Sequence, residues 1–216
     1  TAACAPPPDH DYTRLLDRRA LQGARIGIPR AFFYEGITPP GEQRPRGGLS
    51  PAQADVMREV IEVLRREGAV IVDPADVPSV VDPDRAANFL TFPVCSGTSG
   101  AKGHDSECLV VFKYGMKRDF NAWLASLGPA APVKTLTELR AFNTAHAASR
   151  QTLKYGQSNL DISDEMDLEA DRARYEADRA RDLELSAARG IDAVLARHRL
   201  DALVFPGSSG AALAAK

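Results

Sequence analysis

Side chains able to do chemistry collect in a few loop-like stretches of this sequence, with no fixed ligand spacing among them. The richest is Cys95-Ser96-Gly97-Thr98-Ser99-Gly100-Ala101-Lys102-Gly103, which sets two serines and a lysine among glycines. A serine nucleophile needs a base beside it, and that company is present here. A run of Gly, Ser and Thr is equally what a connecting loop contains, and connection is the reading adopted. A second stretch, Gly207-Ser208-Ser209-Gly210, follows an apolar run closed by Pro206. Its small residues let backbone approach a ligand, and its hydroxyls can bond one. A plain turn of the same residues is the competing reading. In the third, Tyr155-Gly156-Gln157, the tyrosine and glutamine suit either a substrate wall or a helix-to-loop junction. Phe32, Phe33 and Tyr34 suit an apolar pocket or simple packing.

Cys4, Cys95 and Cys108 are odd in number and widely spaced, and His10, His104, His146 and His198 are scattered. Without a CxxC or a Cys/His ligand pattern, the expectation is reduced thiols in a cytoplasmic protein, with no metal site. At 216 residues, 44% hydrophobic and 26% charged, the chain can bury one sizeable core without needing several domains. A net charge of −2 argues against a nucleic-acid partner. No apolar run approaches the roughly 20 residues of a membrane span. Thr1 to Pro8 carries neither the charged nor the apolar region of a signal peptide, and the missing initiator Met suggests a start within a longer chain.

The elements that must position these groups begin with Gly23 to Arg30. Ile26 and Ile28 stand two apart and Pro29 closes the run, as in a short strand whose pairing must stop at a residue without an N–H. Residues 1–20 read as a surface approach segment, with Leu15, Leu16 and Leu21 docking it through a short helical turn. After a Pro/Gly-rich loop, Ser50-Pro51 opens a helix: Ser50 caps, Pro51 takes the first position and Gln53 completes a capping box. Val56, Val60, Val63 and Leu64 form its apolar stripe, and Gly68 stands past its end. Ala69 to Val72 is a second strand. Strand, helix and strand in this order predict a right-handed parallel βαβ unit.

Residues 73–105 read as mostly irregular. A helix is expected from about Ser106 to Leu127, with Leu109, Phe112, Met116, Phe120, Trp123, Leu124 and Leu127 turned to the core, because large apolar side chains usually go inside. Thr135 to Glu138 is a second capping box, with Leu136, Leu139 and Phe142 inward. Asp164 to His198 is helical and charged, with Asp171/Arg174 and Asp178/Arg181 as i, i+3 pairs. Leu183, Ile191, Val194 and Leu195 face a core, and Gly190 is a point of kinking. Leu200 to Phe205 is a third strand, ended by Pro206.

In order and spacing these elements resemble the amidase signature family. The resembling pieces are Leu21 to Pro29, Ala69 to Asp73, Arg118 to Leu124, Thr135 to Asn143, Tyr155 to Gln157 and Asp201 to Pro206. They cover nearly the whole chain, and the subgroup they are most similar to is the bacterial amidases that include peptide amidases. The resemblance implies an α/β fold with a mixed, largely parallel sheet flanked by helices. It implies hydrolysis of a carboxamide C–N bond by a lysine base, a relaying serine in a cis peptide and a second serine that attacks.

The family's lysine and its Gly/Ser-rich signature normally precede the strand at Ile26. Residues 1–216 are accordingly expected to be one partial domain, the central portion of an amidase, holding no catalytic residue and inactive alone. Ser208, Ser209, Tyr155 and Gln157 are the expected substrate contacts. The substrate is a small-molecule or peptide amide, no cofactor is expected, and self-association into a homo-oligomer is anticipated. The rival expectation is a self-contained, non-catalytic α/β binding or scaffold domain.

Overall fold

The computed structural model describes residues 6–92, 95 and 108–207. In chain order its strands and α-helices are β1 (Arg25–Gly27), α1 (Pro51–Arg66), β2 (Val70–Val72), α2 (Pro78–Val81), α3 (Val111–Ser126), α4 (Leu136–Ala145), α5 (Ala147–Arg150), α6 (Ser158–Asp164), α7 (Arg172–Leu183), α8 (Asp192–His198) and β3 (Ala202–Leu203). A π-helical segment, Glu184–Ile191, joins α7 to α8. The fold is α/β, a parallel sheet flanked by helices. β1 lies between β2 and β3 and pairs parallel with both, Ile26 opposite Ile71 on one side and Ala202 on the other. The βαβ unit expected at Ile26 is present. Gly27 is required by closeness: a Cβ there would lie 2.8 Å from Leu203 Cδ2 and 3.0 Å from Ala75 Cβ.

Helix α1 starts as its sequence dictates. Ser50 Oγ accepts from Gln53 N–H, and the Ser50 N–H donates to Gln53 Oε1. Its inward face differs from the expected one. Ile61 is buried, Ala54, Met57 and Leu64 are half-buried, and Val56, Val60 and Val63 face solvent. The helix carries apolar residues on two faces, and contact with the sheet selects the one bearing the bulkier Met57 and Ile61. Leu15 and Leu16 are also exposed, so the short 3₁₀ turn at Tyr12–Leu15 forms without docking them.

The main core joins the sheet to α1, α2, the π segment and α8 through Ile28, Phe33, Ile61, Val77, Val80, Leu185 and Val194. Leu183, expected inward, is exposed, and Leu185 takes the buried place. Ion pairs along α7 include Arg174–Asp178 and Arg179–Asp182, while Arg181 reaches back to the Ala86 carbonyl.

A second, helical unit comprises α3, α4, α6 and α7. Here α3 meets expectation in part. Leu124 is buried, as is Leu109 just before the helix, and Met116 and Phe120 are half-buried, whereas Phe112, Trp123 and Leu127 are exposed and Lys113 and Tyr114 take buried places. Polar partners on other elements explain the difference. Lys113 Nζ lies 3.7 Å from Glu165, Lys117 Nζ donates to the Asp164 and Met166 carbonyls, and Asn121 Oδ1 accepts from Leu136 N–H. Thr135 caps α4 as expected, while the Glu138 carboxylate accepts from Lys134 N–H one residue earlier.

The expectation of reduced thiols is corrected for two of the three cysteines. Cys95 and Cys108 are bonded to each other, and Cys4 lies outside the described residues. Their sequence separation of 13 matches no local motif. Among the described residues, no helix is long and apolar enough to cross a membrane.

Candidate functional site

The strand order sets where a ligand would meet this sheet. From β1 the chain crosses over α1 to β2 on one side, while β3 enters on the other. Ligands of open α/β sheets bind outside the carboxyl ends of strands, where the winding reverses. By that rule the crevice belongs at the ends of β1 and β3. The chain leaving those strands is Ile28-Pro29-Arg30 and Val204-Phe205-Pro206-Gly207, with Asp73 just past β2. Pairing runs up to this rim: Val204 N–H donates to the Gly27 carbonyl at 3.0 Å, and Ile28 N–H to the Val72 carbonyl at 2.9 Å. Pro29 and Pro206 then force both strands out of the ladder.

Arg30 and Asp73 join the β1 and β2 exits through a bidentate pair, Nε to Oδ1 at 2.7 Å and Nη2 to Oδ2 at 2.5 Å. That hydrogen bond raises the Arg30 pKa above its ordinary value against the opposing effect of burial, so its charge is fixed. The guanidinium also lies 5.1 Å from the centre of the Tyr34 ring. The Tyr34 hydroxyl donates to the Val204 carbonyl at 2.8 Å. Burial, partly offset by the Arg30 charge, pushes the phenol up to about 12. Phe33 stands edge-on to Phe205 at 4.8 Å. Phe33 and Tyr34 therefore brace β1 against β3. Beside them an open cleft of about 350 Å³ runs between Arg30, Tyr34 and Glu35 on one side and Met57 and Ile61 of α1 on the other.

This rim suits shaping and supporting a ligand. Arg30 is held by Asp73 and the Tyr34 proton by a carbonyl, so both serve as struts. Sequence reasoning misses Arg30 and Asp73, and it allows Tyr34 a pocket or packing role without its hydroxyl bond. One signal for the ion pair is there: Arg30 and Asp73 are opposite charges just past the ends of two strands expected to pair.

The expected contacts distribute as follows. Pro206 is buried and Gly207 is exposed, so the chain reaches the surface at this rim. Ser208 and Ser209 follow immediately and lie outside the described residues, as do Ser96 to Gly103. Tyr155 and Gln157 belong to the helical unit. Tyr155 is 92% exposed, and Gln157 Oε1 accepts from Asn143 Nδ2 at 3.2 Å, joining α4 to the start of α6. Among the described residues, no group of three or more His, Cys, Asp or Glu could hold a metal ion.

Comparison with known proteins gives a consistent direction. No family model matches the chain. It is 23% identical over 189 residues to the Arabidopsis thaliana protein named "Probable amidase", covering 88% of this chain and 33% of that one. It is 42% identical over 69 residues to a glutamyl-tRNA(Gln) amidotransferase subunit of Chloroflexus aggregans, or 32% of this chain and 12% of that protein. Among solved structures it is similar to a peptide amidase in complex with the competitive inhibitor chymostatin. That match has a TM-score of 0.65 and 27% identity, over 99% of this chain and 39% of that one. The chain thus spans about a third or less of the length of these two curated relatives.

Proposed function

These named homologues point to the amidase signature family, and we propose that this chain is part of an amidase that hydrolyses a carboxamide C–N bond. The observation that carries the reading is the likeness to a peptide amidase along 99% of the chain. In this proposal a lysine, a relaying serine in a cis peptide and an attacking serine lie outside these residues. The crevice described above forms one side of the substrate channel. Ser208 and Ser209, emerging past Gly207, contact the amide, and Tyr155 and Gln157 are the further contacts from the helical unit. The substrate is a small-molecule or peptide amide, and no cofactor takes part. The cytoplasmic location expected from reduced thiols loses that ground with the Cys95–Cys108 bond.

The test is an amidase assay on the complete reading frame and on residues 1–216 alone. The complete protein is expected to release ammonia or amine from simple carboxamides and peptide amides, and the 216-residue chain to release none. Turnover by the short chain that survives Ser96→Ala and Ser99→Ala would mean that the active site lies elsewhere in it. Turnover abolished by either change would make the Cys95–Gly103 stretch the site.

A further inference from the structure

The Cys95–Cys108 bond lies at a junction built from several elements. The two Cα atoms are 4.9 Å apart, inside the usual range for a disulfide. The Cys95 N–H donates to the Leu109 carbonyl at 3.2 Å, so the backbones are held side by side apart from the sulfurs. From α7, Arg174 donates to the Cys108 carbonyl at 3.1 Å, and the Asp178 carboxylate accepts from Val110 N–H at 2.9 Å. Both cysteines are buried, at 1% and 8% exposure, in an apolar cluster with Val110, Tyr114 and Met166. A disulfide inside a packed cluster, joining segments already in register, has the surroundings of a structural cross-link; reactive thiols sit in electropositive, partly exposed places.

We propose that Cys95 and Cys108 form a structural disulfide in the working protein, which therefore works in an oxidising compartment, outside the reducing cytosol. In the cytosol, thiol reductants would keep such a pair open; in an envelope or extracellular compartment it forms and persists. In that step the two thiols lose two protons and two electrons to the disulfide of a protein thiol oxidase, which leaves as a dithiol while the Sγ–Sγ bond forms. The cross-link stabilises by limiting the unfolded chain between residues 95 and 108. It ties the chain that leaves the sheet to the start of α3. The inference stands whether or not the amidase reading does, since it uses none of the crevice residues.

Thiol counting on the full chain tests it. The protein is produced with routing to a bacterial periplasm, denatured without reductant in excess alkylating agent, and weighed. No label on Cys95 or Cys108, and a linked Cys95–Cys108 peptide after proteolysis, are expected. Reductant should lower Tm by about 5–10 °C, and Cys4→Ser should keep both the cross-link and the shift. The double variant Cys95→Ala/Cys108→Ala should melt lower whether or not reductant is present. Labels on both Cys95 and Cys108 of the periplasmic protein, or an equal response of wild type and double variant to reductant, would overturn the structural role. Recovery of the native protein from the cytosolic fraction of its source cells, with Cys95 and Cys108 both free, would overturn the compartment.

Discussion

Asp164 is the residue on which three helices depend. One of its oxygens accepts from Thr137 Oγ1 at 2.6 Å and lies 3.4 Å from Lys117 Nζ, and the other accepts from Arg140 at 2.6 Å, so α6 is tied to both α4 and α3. Burial raises its pKa, but the Thr137 and Arg140 hydrogen bonds and the Lys117 charge outweigh that, and the net shift is downward. A carboxylate whose folded pKa is depressed contributes stability that is present above its unfolded pKa, about 3.9, and lost as pH falls through the lower folded value. Acid titration should therefore loosen the helical unit below about pH 4, seen as lost Tyr114–Tyr175 and Trp123 fluorescence signatures. Asp164→Asn should cost about 3 kcal/mol at neutral pH, because Lys117 and Arg140 lose a buried partner, and should flatten the acid limb of the stability curve. An unchanged acid limb would show that other carboxylates govern it. Ser208 and Ser209 make the functional prediction at this scale. In the complete enzyme, replacing each with alanine should weaken kcat/KM by about 1–3 kcal/mol in transition-state terms, the range for a buried hydrogen bond left unmade. Stability should fall far less, since serine to alanine removes one hydroxyl and little packing. Wild-type kcat/KM in both variants for several amides would make the loop structural.

Among the elements, the π segment between α7 and α8 carries its own requirement for glycine. Gly190 adopts φ −107° and ψ −111°, and a Cβ there would stand 2.5 Å from the Leu185 carbonyl oxygen and 3.5 Å from Ser79 Oγ. Ser79 Oγ donates to that same carbonyl at 2.6 Å, fastening α2 to the widened turn. Gly190→Ala should cost about 2–3 kcal/mol, since backbone has to move; a loss under about 0.5 kcal/mol in denaturant titration would mean that the segment relaxes freely. The kink was legible because Gly190 stands alone in a long helical pattern. The α1 start was legible for a similar reason, since Ser50, Pro51 and Gln53 interact within one turn. So were the strands, each stopped by a nearby proline. The inward face of α3 was legible only in part, Leu124 but not Lys113, because Lys113 and Lys117 are neutralised by Glu165 and Asp164, about 50 residues away, and no local pattern predicts a buried lysine. The α1 face escaped because two apolar stripes compete on one helix, and only the sheet decides between them. At the crevice, the βαβ order put Pro206 at a strand end, but the cross-ties Arg30–Asp73 and Tyr34–Val204 depend on register, which periodicity alone leaves open.

Across the molecule, large apolar side chains stand exposed on several elements. On α1, Val56, Val60 and Val63 are 59%, 37% and 42% exposed, and Val70 on β2 is 45% exposed. On α3, Phe112, Trp123 and Leu127 are 43%, 53% and 48% exposed, and their spacing places them along one side of the helix. Among the described residues β2 and β3 each pair on one edge only, since both neighbour β1 alone. Unpaired strand edges and contiguous exposed apolar side chains favour association with further chain of complementary surface. The 216-residue chain by itself is therefore expected to bind a hydrophobic dye, to sediment with a concentration-dependent mass and to aggregate on gentle warming. The two helix faces contribute separately, so Trp123→Glu and Val60→Glu should each reduce dye binding and association. Neither should lower stability by more than about 0.5 kcal/mol, because surface substitutions away from packed features are nearly neutral. In the complete reading frame the same substitutions distinguish two situations. If flanking chain covers these faces, each glutamate falls into an interface and should destabilise the whole protein by about 2 kcal/mol or more, the cost of burying an unpaired charge or leaving a packed site unfilled. If the faces stay in water, the substitutions remain neutral there too. A monomeric 216-residue chain with one sharp, reversible unfolding transition and no dye binding would refute the incompleteness of this surface and favour a self-contained domain.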